Sequence, residues 1–394
     1  MKKLLLATTA ATMLTGAASA EEIKIGVMLG FTGPAESLAP DMFGGAKAAI
    51  AEASDSGMFL DGTTIAVVQG DSSCVDAAVS TAVADRFVTA DGVSGIIGAL
   101  CSGATIAALQ NVAIPNGMVM ISPSATSPAL TSIEDNGLFF RASPSDARQG
   151  QVMAESLMEK GVTSVAVTYT NNDYGKGLAD AFEASYTEMG GIVTINASHE
   201  DGKADYSAEV GALAAAGGDL LVVVGYLDQG GPGIIRAALD TGAFDMFHLP
   251  DAMIGQSIED RFGDEIEGST GQVPGSDSEG GDMLVPIGEA NGYDATAPYA
   301  PESYDAGALM VLAMQAAGST DPQVYKDKVF DVANAPGEMI YPGEIAKALE
   351  ILAAGGEIDY VGGSAVELIE PGEAAGSYRE IVVEGGKITT VGYR

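Results

Sequence analysis

Two short stretches hold the residue types that can grip an anion: Cys101-Ser102-Gly103-Ala104-Thr105 and Ser122-Pro123-Ser124-Ala125-Thr126. Each follows a run of small apolar residues, 93–100 and 118–121, that reads as a buried strand. Each sets hydroxyls and free backbone N–H groups where a helix should begin, which holds a carboxylate without a cation. Catalytic signatures are missing: there is no Gly-x-Ser-x-Gly elbow, Gly-x-Gly-x-x-Gly turn, Walker loop or His-Glu-x-x-His. Ser102 has no evident base, because neither His199 nor His248 falls in a segment expected to line a cleft with it, so both histidines read as surface or structural residues. We therefore expect no enzyme. With two histidines and no Cys-x-x-Cys, no metal or other cofactor is expected either.

The elements that must position these stretches alternate. Strands are expected at 23–29, 64–70, 93–100, 119–122 and 138–141, with helices at 43–53, 76–90 and 104–112 between them. This is the pattern of βαβ units on a parallel sheet. A second series follows Ser143-Pro144-Ser145, with strands at 164–169, 192–197 and 220–225 and helices at 149–160, 177–189, 207–216 and 234–241. The stretch 275–298, rich in Gly, Ser, Asp and Pro, reads as an irregular crossing or surface excursion. Helices return at 304–317 and 342–354, and strands at 365–368, 380–383 and 388–391. The expected organisation is α/β: two Rossmann-like lobes with parallel-type sheets. Lobe one takes 21–143 plus 275–358, lobe two 144–274 plus 359–394, and three crossings form a hinge.

Residues 1–20 read as a signal peptide: Lys2 and Lys3, an apolar run at 4–14, then Ala18-Ser19-Ala20 before Glu21. No later segment approaches the twenty apolar residues of a membrane span, and a periplasmic, soluble product is expected. The net charge of −36 makes nucleic acid and anionic lipid poor partners, and scattered acids read as solvated surface. Both cysteines of an exported chain sit in an oxidising compartment. Cys74 and Cys101 each follow an expected strand, and adjacent parallel strands would place both at the same sheet edge, so a disulfide between them is predicted.

In order and spacing, Ile23-Lys24-Ile25-Gly26-Val27, Thr32-Gly33-Pro34, Leu100-Cys101-Ser102, Ile121-Ser122-Pro123-Ser124-Ala125-Thr126, Tyr174-Gly175-Lys176-Gly177-Leu178 and Asp205-Tyr206-Ser207 resemble the periplasmic leucine/isoleucine/valine-binding proteins. These are the type I solute-binding proteins of ABC transporters, and the resemblance covers nearly the whole exported chain. It implies the periplasmic binding protein type I fold, with a ligand trapped between closing lobes. It also implies a neutral amino acid, branched-chain or otherwise aliphatic, as ligand, a membrane ABC permease as partner and a monomer.

The resemblance further places Ser102, Ala125 and Thr126 around the ligand carboxylate, and Tyr174 and Tyr226 over the ligand from lobe two. Asp251, where the family usually has Glu, would receive the ammonium. Tyr304 would be the late tyrosine of lobe one, and Leu38 would stand where relatives often have a tryptophan, in a chain with none. A smaller wall widens the pocket, and apolar pockets separate single methylenes by only about 1–3 kcal/mol. Taken one by one, these residues have ordinary readings too: a turn-packing or strand-end aromatic for each tyrosine, and a turn or helix cap for an Asp after Pro. Two other classes stay open, a sensory protein with the same fold and a binder of an amide, urea or aromatic acid.

Overall fold

The computed structural model describes residues 22–394, so the expected signal peptide lies outside the described residues. Two seven-stranded sheets form the frames of two lobes. The first contains β1 (Glu22–Leu29), β2 (Thr64–Asp71), β3 (Ile96–Gly98), β4 (Met120–Ser122) and β5 (Phe139–Arg141). The second contains β6 (Ser164–Thr170), β7 (Ile192–His199), β8 (Leu220–Val224), β9 (Phe247–Leu249) and β10 (Thr270–Pro274). Within each set every pairing is parallel, and the order runs β5-β4-β3-β1-β2 in the first and β10-β9-β8-β6-β7 in the second. The central strands are buried along their whole length, β3, β4 and β8 among them, as helices on both faces of a parallel sheet require. The two Rossmann-like lobes expected of the α/β pattern are therefore present.

After β10 the chain returns to the first lobe. Helix Glu279–Asn291 lies where an irregular excursion was expected. Glycines and an internal Pro286 hide its propensity, but Ser278 caps its first turn and Leu284 is buried. Gly280 is required there, because a Cβ would stand 1.9 Å from the Gly362 carbonyl oxygen. Helix Ala300–Ala317 is buried almost throughout and packs on helix Ala39–Asp55. A small parallel pair, β11 (Glu338–Ile340) and β12 (Ile358–Tyr360), follows.

The boundary expected at 358 is wrong by more than a dozen residues. Strands β13 (Leu368–Ile369) and β14 (Glu373–Ala374) stay with the first sheet, where β14 pairs with β5 through Glu373 and Arg141. Lobe two regains the chain at β15 (Tyr378–Glu384), antiparallel to β10, and β16 (Lys387–Tyr393) closes that sheet. Two-residue strands carry too little alternation to declare a sheet, so the ion pair that anchors β14 was the invisible determinant. The three crossings sit side by side: Gly275 N–H donates to Ser377 O at 3.1 Å, and a Cβ on Gly376 would lie 2.3 Å from Pro144.

The predicted Cys74–Cys101 disulfide is formed and buried. Its cysteines follow β2 and β3, which flank β1, so the bridge spans the sheet edge from which the first anion-holding stretch begins.

Candidate functional site

The lobes are shut on one another. Asp228 N–H donates to Pro34 O at 3.1 Å, Ser37 N–H donates to Asp228 Oδ2 at 2.9 Å, and Ser127 Oγ donates to Asp173 O at 2.9 Å. Each of these joins lobe one to lobe two.

On lobe one, a continuous helical run starts at Ser102 and ends at Asn116. Its cap position is Cys101, which makes no side-chain capping bond because its sulfur is committed to the disulfide. The first N–H groups of such a run have no partner inside the helix. Buried Ser102 accepts the Ser127 N–H at 3.1 Å, which leaves its hydroxyl proton free to donate. The second stretch differs from expectation. Its helix, Pro128–Thr131, is a single turn capped by Ser127, so it supplies little dipole. The Ala125 N–H donates to Ser122 Oγ at 2.9 Å, so that N–H is spent within the protein and Ala125 contributes wall instead of a donor. Thr126 is buried, and its Oγ1 has no hydrogen-bond partner among the described residues.

Arg141 escaped the sequence reading. Its guanidinium, 1% exposed, donates to Ala125 O and Ser127 O at 3.0 Å each and to Thr131 Oγ1 at 2.7 Å, and it pairs with Glu373. The cation thus ties the donor loop to β5 and β14 and is fully engaged there.

On lobe two, Asp251 opens a short 3-10 turn after β9 and is buried. Its Oδ1 accepts from Tyr174 at 2.6 Å and from Gln149 Nε2 at 3.2 Å, and its Oδ2 accepts from the Tyr299 hydroxyl of lobe one. Burial holds the Asp251 carboxyl above its usual range against these donors. Tyr174, on helix Asp173–Glu188, stacks on Tyr226 with ring centroids 5.2 Å apart. Burial, with Asp251 next, raises the Tyr174 and Tyr299 hydroxyls well above the ordinary range, so both remain neutral donors.

Tyr304 stands elsewhere. It lies inside lobe one, where its hydroxyl donates to Glu52 Oε2 and accepts the Gly343 N–H at 3.2 Å. The place expected for it belongs to Tyr299, at a left-handed residue (φ 64°) one position ahead of the helix. Tyr299 precedes the apolar helix and Tyr304 lies in its second turn, and the backbone turn that aims Tyr299 into the cleft has no sequence signal at a non-glycine residue. Gln149 and Asp146 also join the site, both near the start of helix Asp146–Glu159, which follows the first crossing.

Leu38 is buried and lines a cavity of about 270 Å³ between the lobes with Leu227, Ile254 and Pro298, beside the polar Gln256 and Arg379. Ser102, Thr126 and Asp251 do not line that cavity. Both histidines are buried on lobe two. His199 and His248 meet Thr168 and Thr270, and burial holds each at about 4, so they are neutral structural residues. No helix among the described residues is long and apolar enough to cross a membrane, and no cluster of metal ligands occurs among them.

Comparison with known proteins agrees with this architecture. Residues 22–331 match the family model described as periplasmic binding protein. Leu/Ile/Val-binding protein homolog 1 of Brucella melitensis is 32% identical over 320 residues, covering 80% of this chain and 84% of that protein. The Leu/Ile/Val-binding protein of Escherichia coli K12 is 30% identical over 267 residues, 68% of this chain and 71% of its own. A leucine binding protein from Thermotoga maritima superposes with a TM-score of 0.80 at 22% identity, covering 94% of this chain and 98% of that one. A solute binding protein from R. palustris in complex with benzoate superposes at 0.75 with 17% identity, covering 94% and 96%, so the fold alone is shared there. Sequence match, two-lobed topology and relatives together place the chain in the periplasmic binding protein family, the solute-binding components of ABC transporters.

Proposed function

We propose that this protein captures a neutral aliphatic amino acid between its lobes in the periplasm and presents the closed form to an ABC permease. One observation carries the reading: a buried carboxylate of lobe two, Asp251, accepts from the Tyr299 hydroxyl across a closed lobe interface, while its neighbouring acid Asp146 is bonded through its backbone N–H to Thr126 of the donor loop. A zwitterion matches both sides. Its carboxylate meets Ser102, Thr126 and the open helix start, and its ammonium meets the acid of lobe two. Without an opposite charge, burying either end costs several kcal/mol, on the order of 2–7 for a polar group and more for an ion. The apolar wall of Leu38, Leu227 and Ile254 offers room for an aliphatic side chain, and the small Leu38 favours a broad range.

The relatives named for leucine, isoleucine and valine support this choice of ligand. The neighbour holding benzoate keeps an aromatic-acid reading in view, yet a purely anionic ligand leaves Asp251 buried against it without a cation. Calorimetry with the common amino acids, benzoate and a deaminated analogue separates the readings. Tight binding of one or more neutral amino acids and none of the analogue is the expected result. Preference for the analogue or benzoate would overturn it. Small-angle scattering should show a more compact particle at saturation.

A further inference from the structure

Asp251 is not the only acid closed into the cleft. Asp146, the first residue of helix Asp146–Glu159, is fully buried, and neither of its carboxylate oxygens has a hydrogen-bond partner. Its own N–H donates to Thr126 O at 2.8 Å, which fixes it against the donor loop of lobe one. An acid in the first turn of a helix ordinarily bonds an exposed N–H or faces water, and this one does neither; Ser145 performs the capping instead. Two further buried atoms without partners lie on its immediate neighbours, Thr126 Oγ1 and Gln149 Oε1. Thr126 stands close enough to offset part of the effect of burial on Asp146, but no hydrogen bond of sound geometry joins them.

The charges around it sharpen the question. Burial first and Asp251 second push the Asp146 carboxyl well above its ordinary range, and Arg141 offsets little because its guanidinium is engaged by Ala125, Ser127, Thr131 and Glu373. The tyrosines around the site, Tyr174, Tyr226, Tyr299 and Tyr378, all feel both Asp146 and Asp251, so the two acids share one enclosure. A carboxylate offers about four acceptor positions. Asp251 has given three to Tyr174, Gln149 and Tyr299, whereas Asp146 has given none.

We propose that Asp146 is a second, and more open, acceptor for the ligand's cationic end, so that the site recognises a primary ammonium through two carboxylates. The proposal rests on the amino-acid reading of the cleft and deepens it. An ammonium has three N–H donors, and the positions still open here are one on Asp251 and those on Asp146. A secondary amine has fewer donors and adds a methyl group among buried polar atoms, and a nitrogen-free acid brings no charge to either carboxylate. Selectivity for the intact primary ammonium follows, with Asp146 setting it.

Calorimetry tests this on the wild type, Asp146→Asn and Asp251→Asn, with L-leucine, L-valine and L-alanine, their N-methyl derivatives and their deaminated acids as probes. The wild type should bind at least one parent amino acid tenfold or more tighter than its N-methyl form. Asp146→Asn should weaken the parent tenfold or more and narrow its preference over the N-methyl and deaminated forms, a ratio that a merely structural change would leave alone. A single cooperative melting transition without ligand, at or above the wild-type temperature, shows the variant folded. Wild-type affinity and preference in Asp146→Asn would overturn the role of Asp146 while leaving the amino-acid reading intact. Equal wild-type binding of the parent and N-methyl forms would overturn it without any variant. A wild type that binds none of the parents would overturn both.

Discussion

The two walls of the cleft are built from opposite chemistry. Lobe one faces it with neutral donors, Ser102, Thr126 and a helix start left uncapped, while the cation behind them, Arg141, is turned into the protein to brace the donor loop. Lobe two faces it with acids and aromatic rings, Asp251, Asp146, Tyr174 and Tyr226. Tyr299 is the exception, a lobe-one hydroxyl that reaches Asp251 across the gap. In the cluster around Asp251 the acids therefore come from lobe two. A ligand with charge at both ends can satisfy the two walls together, and closure then follows from binding, because shutting the lobes over bare acids removes them from water uncompensated.

The largest break in that comparison should come from the charged wall. Asp251→Ala removes the acid that three donors converge on and should cost about 3–5 kcal/mol of amino-acid affinity, the scale of stripping one partner from a buried ion pair. Calorimetry checks it; retention of wild-type affinity would move the cationic end elsewhere. The same wall sets the pH dependence. Burial holds the Asp251 and Asp146 carboxyls above 3.8, so affinity for an ammonium should fall as acidification protonates them. The sign for stability is opposite: a raised carboxyl favours the protonated fold, so these two groups add stability below 3.8 that is lost as pH rises through their folded values. Affinity and ligand-free melting temperature should thus separate on acidification as far as these acids control them.

The neutral wall depends on its scaffold. Cys74→Ser with Cys101→Ser opens a loop with a sequence separation of 27. Chain entropy assigns such a loop about 3–4 kcal/mol of stability. Chemical denaturation should register that loss in lobe one. If affinity falls by much less than stability, the helix start is aimed by packing; an equal fall would make the bridge part of the donor geometry. A smaller effect is expected at Ser102→Ala, about 1.5–3 kcal/mol for one hydrogen bond to a charged group. Unchanged affinity would remove Ser102 from the ligand.

How much of this was legible follows the same division. The parallel sheets, the disulfide and the Ser102 turn were readable because each rests on local pattern: apolar strands between helices, and cysteines placed after them. Asp251 and Tyr174 were found through resemblance and are brought into contact. What escaped depends on long-range contacts. Arg141 and Asp146 carry no local signal of what they touch, and the 368–374 segment was assigned to the other lobe. Ala125 was expected to donate, but a hydroxyl three residues earlier already takes its N–H.

The finest test of the two walls uses two tyrosines five residues apart. Tyr299→Phe removes a donor that holds the buried Asp251 carboxyl down, so the neutral acid is favoured and affinity for an ammonium should weaken. Tyr304→Phe removes a hydroxyl that serves Glu52 and the Gly343 N–H inside lobe one. It should cost about 1–2 kcal/mol of stability, because both partners lose a partly buried bond, and leave affinity unchanged. Paired melting and calorimetry on the two variants read both quantities. If Tyr304→Phe instead weakened binding as Tyr299→Phe does, the interior of lobe one would be coupled to the cleft. The division between a rigid donor wall and a charged, ligand-dependent wall would then have to be redrawn through helix Ala300–Ala317, whose buried length connects the two positions.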